Sequence, residues 1–267
     1  MHLASIGSGS KGNGTLLRTE SACVLIDCGF SLKEAERRLA RRGMSGAQIS
    51  AILVTHEHGD HIGGVGALSR RYSIPVYLSH GTHLSGRCED VYERVCFDAG
   101  DSFRIHDINV TSVLVPHDAR QPCQYVLEGQ GVKVGVLTDL GTITPHVTEA
   151  YSQCDHLVLE FNHDLELLRS GAYPPSLKRR VGGTLGHLNN QQAAALLKQV
   201  DHQGLASVLI AHISEQNNTL QRIEAALYAD LGQTFDKHRY MSQDEGYDWV
   251  ELNSSVDFEP VRTALDV

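Results

Sequence analysis

Short apolar runs closed by Gly, Pro, Asn or Asp dominate the first half of the chain: Leu3 to Ile6, Cys23 to Ile26, Ile52 to Val54, Val76 to Leu78, Val110 to Val115 and Val132 to Leu137. Their length and boundaries predict strands. Between and after them the spacing turns helical. Ser31, with Glu34 three residues on, predicts the N-cap of a helix that ends near Gly43, and Gln191 to Val200 and Thr219 to Tyr228 carry apolar residues at helical intervals. Strands come first as hairpins and later alternate with helices, and Val158 to Glu160 repeats the strand-then-loop layout of Ile52 to His56. No linker rich in Pro or Ser interrupts the pattern, so one α/β domain covering residues 1–267, with sheets covered by helices, is expected. After Gln221 no chemical motif is visible; Tyr247 to Leu252 reads as a strand that packs on, or extends, a sheet edge.

Composition narrows the class. With 267 residues, 41% hydrophobic and 21% charged, the chain is globular, and no apolar run approaches the ~20 residues that span a bilayer, so no membrane partner is expected. The first residues lack a basic segment, an apolar stretch and a small-residue cleavage site, which makes the cytoplasm the expected location. Six scattered cysteines without CxxC spacing read as reduced thiols. A formal charge of -9 argues against broad electrostatic binding of nucleic acid, but a local basic groove or bound cations would reverse the sign at one site.

Two motifs compete for the chemistry. Gly7-Ser8-Gly9-Ser10-Lys11-Gly12 fits GxGxxG, yet Asn13-Gly14-Thr15-Leu16-Leu17 follows it. A dinucleotide site needs a helix to open there, so a hairpin turn is expected instead. His56-Glu57-His58-Gly59-Asp60-His61, directly after the strand Ala51 to Thr55, is far more specific: its composition gives a chance expectation of roughly 0.003 per chain. In extended backbone His56 and His58 point the same way and can grip one ion, while Gly59 is expected to turn the chain with positive φ and bring Asp60 and His61 to a second position. More ligands are needed, and His117, Asp139 and His212 each follow an apolar strand, the place where ligands of α/β folds collect.

These motifs resemble the metallo-β-lactamase superfamily, with Asp27 in Leu25-Ile26-Asp27-Cys28-Gly29 matching its first acidic motif. The resemblance implies a four-layer αββα sandwich, two mixed sheets flanked by helices. It implies two divalent metal ions, Zn or Mn: one held by His56, His58 and His117, the other by Asp60, His61 and His212, with Asp139 bridging and Asp27 fixing the ligand loop by hydrogen bonds. Two such ions lower the pKa of a shared hydroxide-forming water, and a net charge of about +1 after Asp60, Asp139 and hydroxide suits a phosphodiester while tolerating a polarised carbonyl.

The run Leu157 to Asp164 and Gly186-His187-Leu188-Asn189-Asn190 look like the Glu and His motifs of the tRNA 3′-processing endonucleases, which implies that His187 is the general acid and Glu160 its partner. A helix-capping role for His187 is the alternative. Together with Gly171-Ala172-Tyr173-Pro174, Leu177-Lys178-Arg179-Arg180 and Ala211 to Asn218, the set is similar to the bacterial YycJ (WalJ, VicX) family, which implies 5′-to-3′ exonuclease action on DNA, linked to repair. The stretch between Asp139 and His187 is too short for a β-CASP insertion, and no long arm that would grip tRNA is visible, so DNA is favoured over RNA. Lys178, Arg179 and Arg180, taken as a loop near the cleft, and Asn162 are candidate substrate contacts; Arg37, Arg38, Arg41 and Arg42 form a basic stripe with a weaker claim. A small-molecule phosphodiesterase, a glyoxalase II-like thioesterase, and a non-catalytic regulatory or binding protein of the same fold are the competing expectations.

Overall fold

The computed structural model describes residues 1–253; the last part of the expected 1–267 domain, residues 254–267, lies outside the described residues. Thirteen successive strands divide between two sheets in chain order. The first sheet takes β1 (His2–Gly7), β2 (Gly14–Arg18), β3 (Cys23–Ile26), β4 (Ala51–Leu53), β5 (Pro75–Ser79) and β6 (Glu93–Phe97). The second takes β7 (Ser102–Ile105), β8 (Ile108–Leu114), β9 (Cys123–Gly129), β10 (Val132–Leu137), β11 (His156–Glu160), β12 (Ser207–Ala211) and β13 (His238–Tyr240). The last strand among the described residues, β14 (Tyr247–Glu251), returns to pair antiparallel with β1, the sheet-edge role its sequence predicts. Both sheets are mixed: antiparallel hairpins at one side pass into parallel strands at the other, β3 to β6 in the first and β10 to β13 in the second.

The helices are α1 (Leu32–Arg41), α2 (Gly59–Ile62), α3 (Val65–Tyr72), α4 (His80–His83), α5 (Pro145–Tyr151), α6 (Leu165–Ser170), α7 (Pro175–Val181), α8 (Asn190–Val200) and α9 (Leu220–Leu231). Strand periodicity explains how they cover the sheets. Val24 and Ile26 of β3 face the second sheet, in one core with Val134, Val136 and Val158, whereas Cys23 and Leu25 face outward against Leu39 of α1 and Leu68 of α3. Leu157 and Leu159 of β11 likewise point away from the inter-sheet core, onto α5, α8 and α9 through Val147, Leu196 and Ile223. Strands buried on both faces read as continuous apolar runs, the pattern seen in the sequence. The four layers are helix, sheet, sheet, helix, as expected. Among the described residues no helix is long and apolar enough to cross a membrane.

Local expectations hold unevenly. GxGxxG is the β1–β2 connection and opens no helix; Gly12 sits at φ 148°, where an added Cβ would collide with the Phe30 ring. Ser31 occupies the N-cap of α1, but its side chain makes no capping bond; Glu34 instead pairs with Arg37 and Arg38. The basic stripe is not free for nucleic acid. Arg38 is buried, stacks over Phe30 and donates to the carbonyls of Ile6, Gln243 and Asp244, Arg41 pairs with Glu245, and Arg42 donates to Ser5 and Glu245 carbonyls. These guanidiniums tie α1 to β1 and to the turn before β14, because carbonyls left unpaired at a strand end need donors.

Candidate metal centre

The C-terminal ends of β4, β8, β10, β11 and β12 meet at one edge of the sandwich and deliver His56, His117, Asp139, Glu160 and His212. The other candidate ligands come from the loop after β4. His58 is extended, at φ -67° and ψ 145°, and caps the one-turn helix α2, which carries Asp60 and His61. Gly59 is therefore the first residue of a helix and not a left-handed turn; helical curvature, rather than positive φ, swings Asp60 and His61 to their position. The loop is anchored by backbone bonds from Asn13 to the Asp60 carbonyl and from Cys28 to the His61 carbonyl, both at 2.8 Å. Gly29 permits this approach, since a Cβ there would strike the Asp60 carbonyl.

All seven expected ligands converge. His56 Nε2 lies 2.9 Å from His58 Nδ1, which lies 3.3 Å from His117 Nε2. Nitrogens bound tetrahedrally at about 2.0–2.1 Å from zinc stand about 3.3 Å apart, so these two separations are close to those between neighbouring ligands of one ion. Asp60, His61 and His212 form the second group, with His61 Nε2 and His212 Nε2 3.6 and 3.7 Å from Asp60 Oδ2. Asp139 lies between: Oδ1 is 3.7 Å from His117 Nε2 and Oδ2 is 3.1 Å from His61 Nε2. Asp139 Oδ2 and His212 Nε2 are buried without a hydrogen-bond partner, which buried polar atoms avoid unless something else satisfies them.

The outer nitrogen of every imidazole is already engaged, which aims the inner one at the cluster. Asp27 accepts from His61 Nδ1 at 2.7 Å and from the Thr55 amide and hydroxyl at 2.8 and 2.7 Å; the Thr55 hydroxyl in turn accepts from His56 Nδ1 at 2.9 Å. His117 Nδ1 donates to the Gly186 carbonyl, His212 Nδ1 to the Thr138 carbonyl and His58 Nε2 to the Asp118 carbonyl. Such partners fix the tautomer of a ligating histidine. The donor set of five imidazoles and carboxylates, with two orphaned buried atoms, fits divalent cations. Electrostatics agree. Burial pushes the His56 imidazole well below its ordinary pKa; burial also works against charge on His212, yet Asp139 and Asp60 outweigh it and raise that imidazole to about 10. For Asp60, burial is outweighed by His61 and His212, which hold the carboxyl down at about 2. The carboxylates draw positive charge into a buried site, as proton or as cation.

Glu160 and His187 are brought together as expected. His187 Nδ1 is 3.1 Å from Glu160 Oε2 and 3.3 Å from Asp139 Oδ1, while Glu160 Oε1 accepts from the Leu140 and Leu188 amides at 2.6 and 3.3 Å. His187 does not cap α8; Asn189 does, with its side chain accepting from the Gln192 amide.

The site opens into a cavity of about 550 Å³. Of the expected substrate contacts, Arg180 lines it, but the basic tripeptide lies in helix α7 rather than in a loop. Arg180 Nε is 2.5 Å from Asp118 Oδ2, whereas Lys178 Nζ turns away to the Arg169 carbonyl, and Arg179 is exposed outside the lining. Asn162 also lines the cavity, though its amide donates to the His212 carbonyl and so holds that ligand's backbone at φ 52°. Three contributors escaped the sequence reading: Thr55, Asp118, which brackets both His58 and Arg180, and the Gly186 carbonyl. Asp118 had a visible signal in directly following His117; a backbone carbonyl has none.

Residues 23–213 match the Beta-lactamase superfamily domain. Exodeoxyribonuclease YycJ of Bacillus anthracis is 35% identical over 82% of this chain and 84% of its own, and exodeoxyribonuclease WalJ of Streptococcus pneumoniae is 32% identical over 98% and 93%.

The chain belongs to the β-lactamase superfamily.

Within it, the YycJ and WalJ proteins are relatives over 84% and 93% of their own lengths. The fold also matches the metallo-β-lactamase fold protein YhfI of Bacillus subtilis, with a TM-score of 0.73 over 94% of this chain and 99% of that one at 15% identity. Asp139 stands between the two candidate ligand groups, within 3.1 Å of His61 Nε2 and 3.7 Å of His117 Nε2.

Proposed function

We propose that the protein is a metal-dependent phosphodiester hydrolase, and specifically a 5′-to-3′ DNA exonuclease of the cytoplasm linked to DNA repair, working as one domain with two bound divalent ions, Zn or Mn. His56, His58 and His117 would hold one ion, Asp60, His61 and His212 the other, and Asp139 both. When bound, such a pair lowers the pKa of a shared water and neutralises developing charge on phosphate oxygens.

The observation that carries the assignment is the Glu160–His187 pair poised over Asp139. Two amides hold Glu160 Oε1, so Oε2 is left to accept the His187 Nδ1–H at 3.1 Å. That bond fixes the orientation of the imidazole, leaving Nε2 to hand a proton to the departing oxygen. An alkoxide expelled from phosphorus is strongly basic and needs this donor, which contributes about 10² to 10⁴ in rate; a thiolate leaving a thioester does not. Relatives named exodeoxyribonucleases at 35% and 32% identity support DNA as the polymer.

Metal analysis together with turnover on 5′-phosphorylated duplex DNA, single-stranded RNA, an aryl phosphodiester and a glutathione thioester tests the assignment. DNA is expected to be cleaved fastest after reconstitution with Zn or Mn, and Asp60→Ala to abolish turnover. Preferential hydrolysis of the thioester, or full DNA cleavage by Asp60→Ala, would overturn it.

A further inference from the structure

Helix α7 follows Pro174 and starts with Pro175, and it contributes no buried residue to the core. Yet it is not polar all round. Leu177 and Val181, one turn apart, line the metal cavity, and Tyr173, one turn before Leu177, lines it too. An apolar stripe that is half-buried, faces a polar metal site and joins none of the hydrophobic cores is unexpected for a purely structural helix, whose apolar face normally supplies its stability. The stripe is also held in place. Lys178 Nζ bonds the Arg169 carbonyl across the turn between α6 and α7, and the Lys178 amide bonds the Pro174 carbonyl at 3.0 Å.

Arg87, in the connection from α4 to β6, comes to the same cavity from the other sheet. The cavity's other arginine, Arg180, is engaged by Asp118 at 2.5 Å; the Arg87 guanidinium has no carboxylate or carbonyl partner among the described residues. In a chain of formal charge -9, an exposed and uncompensated cation at the mouth of the catalytic cavity is where a polyanion gains most.

We propose that Tyr173 and Arg87 form a nucleotide subsite beside the metal centre, Tyr173 with Leu177 and Val181 taking the base and sugar of a nucleotide adjoining the scissile bond, and Arg87 taking a neighbouring phosphate. The subsite deepens the nuclease assignment and rests on it for its substrate. Aromatic stacking accepts any base, so the subsite would position a strand without reading its sequence. It also sorts the basic residues: Arg87 contacts substrate, whereas Lys178 fastens the turn that presents Tyr173.

Wild type, Tyr173→Ala, Tyr173→Phe and Arg87→Ala are compared on 5′-phosphorylated DNA and on two esters with one leaving group, thymidine 5′-(p-nitrophenyl) phosphate and methyl p-nitrophenyl phosphate. Tyr173→Ala is expected to raise KM about tenfold on DNA and on the thymidine ester, leave the methyl ester within about twofold, and be rescued by Tyr173→Phe. Arg87→Ala is expected to flatten the dependence of log(kcat/KM) for DNA on log salt by about 0.7 to 0.9, one phosphate contact. Equal losses on all three substrates, or an unchanged salt slope, would overturn the subsite. A wild type that prefers the thymidine ester through Tyr173 but ignores DNA would sink the nuclease assignment and keep the subsite; one with no preference between the esters would remove the subsite alone.

Discussion

Asp27 Oδ2 accepts the Nδ1–H of His61 at 2.7 Å, from a backbone held in the left-handed region at φ 61°. The same carboxylate takes the Thr55 amide and hydroxyl, so one buried side chain orients His61 directly and His56 through Thr55. Asn tolerates left-handed φ, which makes Asp27→Asn a test of the charge and acceptor pattern with little backbone cost. Its amide would point a donor at His61 Nδ1 and favour the tautomer with the proton on Nε2, the nitrogen aimed at the cluster. Metal affinity is expected to fall about 10- to 100-fold in a competition titration with a chelating dye, without unfolding. Unchanged affinity would mean that the bond does not orient His61.

His187 separates two kinds of leaving group. His187→Ala is expected to lower kcat on DNA by about 10² to 10⁴, and on an aryl phosphodiester by less than about tenfold, because a nitrophenolate departs without a proton. Glu160→Gln should repeat that pattern more weakly, since the amide can still accept one bond. Equal losses on both substrates would count against His187 as the acid.

Arg38 tests the structural role of the basic stripe. Its guanidinium donates to three carbonyls and to Glu34 while buried to 7% exposure. Arg38→Ala is expected to cost about 2 to 4 kcal/mol in denaturant unfolding, as charged donors are lost from buried carbonyls. The salt dependence of DNA cleavage by the surviving folded enzyme should match wild type; a flatter slope would show that Arg38 meets phosphate.

His163 sets a pH dependence of stability. Burial lowers its imidazole from 6.5 to about 4, and its Nε2 has no hydrogen-bond partner. Between those two values the unfolded chain binds the proton and the folded chain does not, so stability falls as the pH drops from 6.5 to about 4 and then levels. Relative to His163→Leu, wild type is expected to lose up to about 3 kcal/mol over that window, read by urea midpoints at each pH. Parallel pH profiles for the two proteins would refute it.

The strand-end positions of His56, His117, Asp139 and His212 were legible because apolar runs that stop at a ligand mark both the element and the edge at which it ends. HxHxDH was legible because a dense, rare residue pattern stands out against composition, and the Glu160 and His187 motifs through their resemblance to those of the tRNA 3′-processing endonucleases. The hairpin at Gly7 to Gly12 was legible from the strand that follows it. What stayed hidden was the identity of partners distant along the chain. Arg37, Arg38, Arg41 and Arg42 look alike in sequence, and whether they meet solvent or, like Arg38, the carbonyls of Ile6 and Gln243 depends on residues 32 and 205 positions away. Likewise Lys178, Arg179 and Arg180 are one basic run, and only the packing of α7 against the site sends one to Asp118, one to a backbone carbonyl and one to the surface. Local pattern specifies elements and ligands because periodicity and residue chemistry are local quantities. Orientation, the inner against the outer nitrogen of each imidazole and the free against the paired guanidinium, is set by hydrogen-bond partners that exist only after the two sheets have closed on each other.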